Sequence, residues 1–72
     1  MKDFIIKTYG KGELAQLYNP NISQASAVNK LNYWINLQPE LSNELKKAGL
    51  VKNARSYTPA QVKLIVDALG EP

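Results

Sequence analysis

Apolar residues recur with a helical period in four stretches of this chain, and each stretch ends at a residue that stops a helix. From Gly12 to Tyr18, the residues Leu14, Ala15, Leu17 and Tyr18 fall on one side of a helix while Glu13 and Gln16 fall on the other. Asn19-Pro20-Asn21 ends it, because proline lacks the amide that continues the ladder and pushes the residue before it out of the helical region. A second helix starts near Asn21 or Ser23: Asn21 with Gln24 three residues on, or Ser23 itself, supplies acceptors for the exposed first-turn amides. Beyond that start, Ala27, Val28, Leu31, Trp34 and Ile35 share an arc of roughly 120°, the width of a core-facing stripe. Trp34 is expected at the centre of the core. The opposite side carries Asn29, Lys30, Asn32, Tyr33 and Asn36.

Gln38-Pro39-Glu40 opens a third helix, with proline at the first helical position and Glu40 and Glu44 toward the positive end of the dipole. Leu41, Leu45 and Ala48 line its buried side. Lys46 and Lys47 fall in the last turn, and Gly49 is expected to form a left-handed cap over which Leu50 folds back. The fourth helix begins with a capping box at Thr58-Pro59-Ala60-Gln61, carries Val62, Ile65, Val66 and Leu69 as its apolar stripe, and ends at Gly70.

Two segments read differently. Phe4 to Tyr9 is rich in aromatic and β-branched residues and stops at Gly10-Lys11-Gly12, the pattern of a short strand and turn. Leu50 to Tyr57 has few helix signals and a turn at Lys52-Asn53-Ala54, which reads as a β-hairpin or extended wing. The expectation is a mainly α, four-helix, helix-turn-helix-like domain with a short N-terminal strand and that wing, filling residues 1–72 as one unit.

Composition narrows the chemistry. A chain of 72 residues buries only roughly 60% of the surface its unfolded form exposes, so it holds one core and no second domain. It contains neither Cys nor His. Disulfides, thiolate or imidazole metal sites and the commonest general base are thereby excluded. No apolar run approaches the length of a membrane span, and the opening residues do not form a signal peptide, so the expected location is cytoplasmic.

Charge adds a direction. The net charge is +3, and between Leu45 and Val66 stand Lys46, Lys47, Lys52, Arg55 and Lys63 without a single acid. Most of the positive field therefore arises from one contiguous region, the footprint expected of a nucleic-acid binder. Only one of the nine bases is Arg, so bidentate phosphate or guanine recognition is not the main mode.

Several motifs recur in a specific order: Tyr9-Gly10-Lys11-Gly12-Glu13-Leu14-Ala15-Gln16-Leu17-Tyr18, Trp34-Ile35, Tyr57-Thr58-Pro59-Ala60-Gln61-Val62 and Leu69-Gly70-Glu71-Pro72. Together they resemble a family of short proteins of gut anaerobes, domain of unknown function family 4248. The resemblance spans nearly the whole chain; it implies a bacterial origin and brings no activity with it. Gly12-Glu13-Leu14-Ala15 and Tyr57-Thr58-Pro59 also resemble, more loosely, the helix-turn-helix of the MerR and excisionase type, which implies DNA binding. Those families place bases early in the second helix, where Ser23 to Asn29 has none, and they lack the extra helix of Pro39 to Ala48.

Catalysis finds no constellation here. Glu40 and Glu44 are one turn apart but are explained by the helix dipole, and the glycines at 10 and 12 complete no phosphate-cradling loop. No cofactor, metal, membrane or small-molecule substrate is expected. Two readings remain. In the first, the outward face of the second helix (Asn29, Lys30, Asn32, Tyr33, Asn36) enters the DNA major groove, where Asn reads adenine, and Lys46, Lys47, Lys52, Arg55 and Lys63 meet phosphates. In the second, exposed tyrosines among Tyr9, Tyr18, Tyr33 and Tyr57 make an interface with a protein partner or a second copy.

Overall fold

The computed structural model describes residues 4–51 and 53–72. Its four helices form where the apolar period predicts them: α1 (Lys11–Tyr18), α2 (Gln24–Asn36), α3 (Pro39–Lys47) and α4 (Pro59–Leu69). Two short strands, β1 (Tyr9–Gly10) and β2 (Ser56–Tyr57), pair antiparallel with Tyr9 opposite Tyr57 and Gly10 opposite Ser56. The chain is mainly helical, and α1 and α2 pack closely around the break at Asn19-Pro20. No helix among the described residues is long and apolar enough to cross a membrane.

The helix ends follow local chemistry. Ser23 caps α2, its hydroxyl accepting from the Ser26 amide at 3.2 Å. At the end of α3, Gly49 takes a φ of 93°, where a side chain would be strained. The Leu50 amide then reaches back to the Leu45 carbonyl and the Gly49 amide to the Lys46 carbonyl, each at 3.0 Å. Leu50 consequently packs on the core. Thr58 and Gln61 form the expected capping box on α4, with Thr58 Oγ1 accepting from the Gln61 amide at 3.3 Å and Gln61 Oε1 accepting from the Thr58 amide at 2.9 Å. Gln61 does more than cap its own helix. It is buried, and its Nε2 donates at 3.0 Å to the carbonyl of Ala48, so one side chain joins the start of α4 to the end of α3.

The core comprises Tyr9, Leu14, Ala15, Ala27, Leu31, Ile35, Leu41, Leu45, Tyr57, Val62 and Ile65, and every helix contributes. Burial pushes the Tyr57 phenol up to about 12, so it stays neutral within this cluster.

Four expectations need correction. Trp34 is not the centre of the core but a half-buried residue at its edge, packed edge-on against Tyr18 with ring centroids 6.3 Å apart. Its position on α2 lies about 60° from Leu31 around the helix, at the margin of the stripe, and its large ring is well suited to cover that margin. Leu17 likewise lies at the edge and is exposed. The strand expected over Phe4–Tyr9 shrinks to Tyr9–Gly10, because β2 offers only Ser56 and Tyr57 before Thr58-Pro59 opens α4, and β propensity needs a partner to be expressed. Phe4 instead stacks on Tyr9 with centroids 5.4 Å apart, and the Tyr9 hydroxyl donates to the Ile5 carbonyl at 2.8 Å. Ile5 and Ile6 face outward.

The hairpin expected over Leu50–Tyr57 does not form among the described residues. That segment makes one turn, closed by the Ala54 amide on the Val51 carbonyl at 3.1 Å, and then pairs with β1 rather than with itself. The turn expected at Lys52-Asn53-Ala54 includes Lys52, which lies outside the described residues.

A second long-range tie joins α1 to the C-terminal segment. The Tyr18 hydroxyl donates to the carbonyl of Gly70, which fastens the end of α1 to the end of α4. Burial, followed by the negative charge of Glu71, pushes this phenol up to about 12.

Candidate functional site

α2 is amphipathic without carrying an acid. Asn29, Asn32, Tyr33 and Asn36 are all exposed, and at 100° per residue they lie within roughly a third of a turn of one another. Lys30 departs from this face. It stands nearer Trp34, one turn on, with its ammonium 5.8 Å from the ring centroid, a cation–π position.

Between the asparagine face and α3 lies a concavity of about 430 Å³. Its floor is apolar, formed by Ile35, Leu45, Leu50 and Tyr57, the last three reaching it from α3, the helix cap and β2. Its rim is polar: Asn32 and Asn36 on one side, Ser42 and Lys46 of α3 on the other, and Lys11 at the start of α1. Val51 completes the margin and is exposed. None of the described residues lining it is acidic. The carboxylates of α3 are kept away by helical spacing: Ser42 and Lys46, four apart, share one flank, whereas Glu40 and Glu44, also four apart, share the other.

Lys11 was not foreseen as a site residue. It occupies the first helical position of α1, where the positive end of the dipole disfavours a cation by a few tenths to about 1 kcal/mol. That mismatch is the one local signal the sequence holds for it. Its place beside the concavity comes from the strand pairing: its amide donates to the Arg55 carbonyl at 2.9 Å, and its ammonium stands 5.7 Å from the centroid of the Tyr57 ring. Ser42 was missed for a plainer reason, since a lone serine in a helix carries no signal until α2 is packed beside it.

The sequence-derived candidates therefore divide. Asn32, Asn36 and Lys46 come together at the concavity. Asn29 and Tyr33 adjoin it on the same face of α2. Arg55 is exposed and its backbone abuts Lys11. Lys47 is exposed on the flank of α3 that holds the carboxylates, and Lys30 turns to Trp34. Lys63 lies on α4 and pairs with Asp67 at 3.2 Å, both side chains well exposed, a contact worth about 0.3 to 0.5 kcal/mol. Lys52 lies outside the described residues.

Among the described residues, four helices are clasped by a two-strand ribbon, and a lysine-rimmed concavity that none of those residues lines with an acid lies beside the second helix. A family model matches residues 5–72, and the chain belongs to that family, the domain of unknown function DUF4248. No curated protein and no solved structure matches it. The looser likeness to the MerR and excisionase type is not shown by any of these comparisons.

Proposed function

We propose that the chain is a small, non-catalytic DNA-binding domain whose contact surface is the asparagine face of α2 together with the concavity beside it. The observation that carries this reading is the meeting of Asn32, Asn36, Lys11 and Lys46 around one depression that no acid lines among the described residues. Amides offer both donors and acceptors to base edges, and ammoniums offer point charges to phosphates. The three asparagines lower the intrinsic helix propensity of α2, and a contact role gives a reason for their presence. Arg55 extends the basic margin next to Lys11.

The test is the salt dependence of DNA affinity. Replacing Lys11→Gln and Lys46→Gln together should weaken binding of a labelled mixed-sequence DNA and reduce the slope of log affinity against log salt by about 0.7 to 0.9 per cation removed. Both side chains are on the margin, so the melting midpoint should hardly change. An unchanged slope in the folded double variant would contradict the reading.

A second reading has one observation of its own. Tyr33 near the end of α2 and Leu37 at its C-cap are one turn apart and expose 61% and 60% of their surface, a pair that fits a protein partner or a second copy of the chain. On that reading the chain binds no nucleic acid: the parent should show association by sedimentation and no DNA affinity, and Leu37→Ser should abolish the association.

A further inference from the structure

The concavity has a shape that a duplex-reading helix does not need. A helix that reads the major groove presents a convex row of side chains to base edges on the groove floor. Here Asn32 and Asn36 instead open onto a depression of about 430 Å³ that stays open to solvent along its rim, with room to seat one base from the outside rather than to enclose a small molecule. Ile35, Leu45 and Tyr57 beneath it belong to the core, so its floor is fixed by packing and already formed.

From this arrangement we infer that the concavity takes a single unpaired nucleotide of a DNA strand, and that the protein prefers single-stranded to duplex DNA. The inference rests on the DNA-binding reading above and specifies the form of the partner. The flat apolar face of a base suits the floor of Ile35, Leu45 and Leu50. Its hydrogen-bonding edge, free only when the base is unpaired, meets the amides of Asn32 and Asn36 and the hydroxyl of Ser42. Phosphates on either side of the nucleotide meet Lys11 and Lys46, which stand on different elements and so flank the depression. Charge selects the same partner: two cations and no acid on the described rim fit a polyanion and oppose an acidic-patch-free protein surface. Tyr33, 61% exposed on the adjoining part of α2, offers its ring to the neighbouring base, the stacking by which single strands are held without a paired partner. A base within a duplex has neither its face nor its pairing edge available, so it cannot occupy the concavity without first leaving the stack.

The experiment compares the intact protein's affinity for one labelled strand of mixed sequence with its affinity for that strand annealed to its complement, by fluorescence anisotropy at low salt. The strand is expected to bind at least about tenfold more tightly than the duplex. Ser42→Phe, which fills the concavity from a half-buried position on α3, should remove that preference by weakening strand binding alone. Val51→Trp fills it from an exposed margin position and serves the same purpose if Ser42→Phe lowers the melting midpoint. Equal affinities, or tighter binding of the duplex, overturn this inference and leave DNA binding standing. Preference for the strand that survives both filled variants overturns it too, since the nucleotide then binds elsewhere. Absence of binding to either form overturns the DNA-binding reading itself.

Discussion

Leu31→Ala is expected to lower stability by about 2 to 5 kcal/mol, which is most of what a domain of this size possesses, since such cores rarely supply more than about 3 to 5 kcal/mol net. Leu31 is 1% exposed at the middle of α2's apolar stripe, and the same cluster contains Leu14 of α1, Leu45 of α3 and Ile65 of α4. Truncation there loosens the packing of α2 on α1 and α3, and a small core has few ways to collapse around the void. Thermal melting followed by far-ultraviolet circular dichroism should find the variant largely unfolded or melting far below the parent. Trp34→Ala should cost less despite the larger side chain, because the indole is half-buried at the core's edge. A Leu31→Ala midpoint within roughly 4 °C of the parent, the shift that about 1 kcal/mol produces in a domain this size, would mean that the core lies elsewhere.

Gln61→Leu is expected to be the next most damaging change, at about 2 to 3 kcal/mol, although it replaces a polar residue in the core by an apolar one of similar size. The Thr58 amide loses its acceptor and the Ala48 carbonyl its donor, and leaving such groups unmatched costs about 1 to 3 kcal/mol each when they are shielded from water. Thr58→Ala removes only the hydroxyl half of the box and should cost roughly 1 kcal/mol. Gln61→Glu separates the two roles of the side chain. A carboxylate still accepts from Thr58 but turns a negative oxygen toward the Ala48 carbonyl in a buried site, which raises its folded-state pKa above the unfolded value. Stability of that variant is then greatest below the ordinary glutamate pKa and falls as pH rises through the raised one. A Gln61→Leu protein that melts with the parent, or a Gln61→Glu protein whose midpoint ignores pH from acid to neutral, would remove this side chain from the α3–α4 junction.

What the sequence disclosed and what it withheld separate along one line, the range of the interaction involved. Helix boundaries at Ser23, Gly49 and Thr58 were legible because caps are made by residues three or four apart. The asparagine face of α2 was legible for the same reason, being a matter of helical period. The strand pairing was not, since Tyr9 and Tyr57 come from opposite ends of the chain and nothing local marks them as partners. That single long-range pairing accounts for most of the differences: it shortens the strand expected at Phe4–Tyr9, replaces the hairpin expected at Leu50–Tyr57, and brings Lys11 to the concavity. The expectation for Trp34 failed differently. Its size argued for the centre of the core, whereas its angular position on α2 argued for the edge, and the position decided.

The candidate site shows the same division. Lys46 was found as part of a basic run, but the run itself disperses in three dimensions: Lys47 lies on the carboxylate flank of α3, and Lys63 pairs with Asp67 on α4. Linear charge density thus identified the sign of the surface and not its centre. The centre is set by α2 packing against α3, with β2 closing the third side.

The most direct test is an amide NMR titration of the intact protein with mixed-sequence single-stranded DNA, at low salt and again near physiological salt. Shifts concentrated at Lys11, Asn32, Asn36, Ser42 and Lys46, weakening as salt rises while Lys47 and Lys63 stay still, are the predicted result. A spectrum that does not move at low salt, or that moves only around Tyr33 and Leu37 as protein concentration rises, would contradict DNA binding at the concavity.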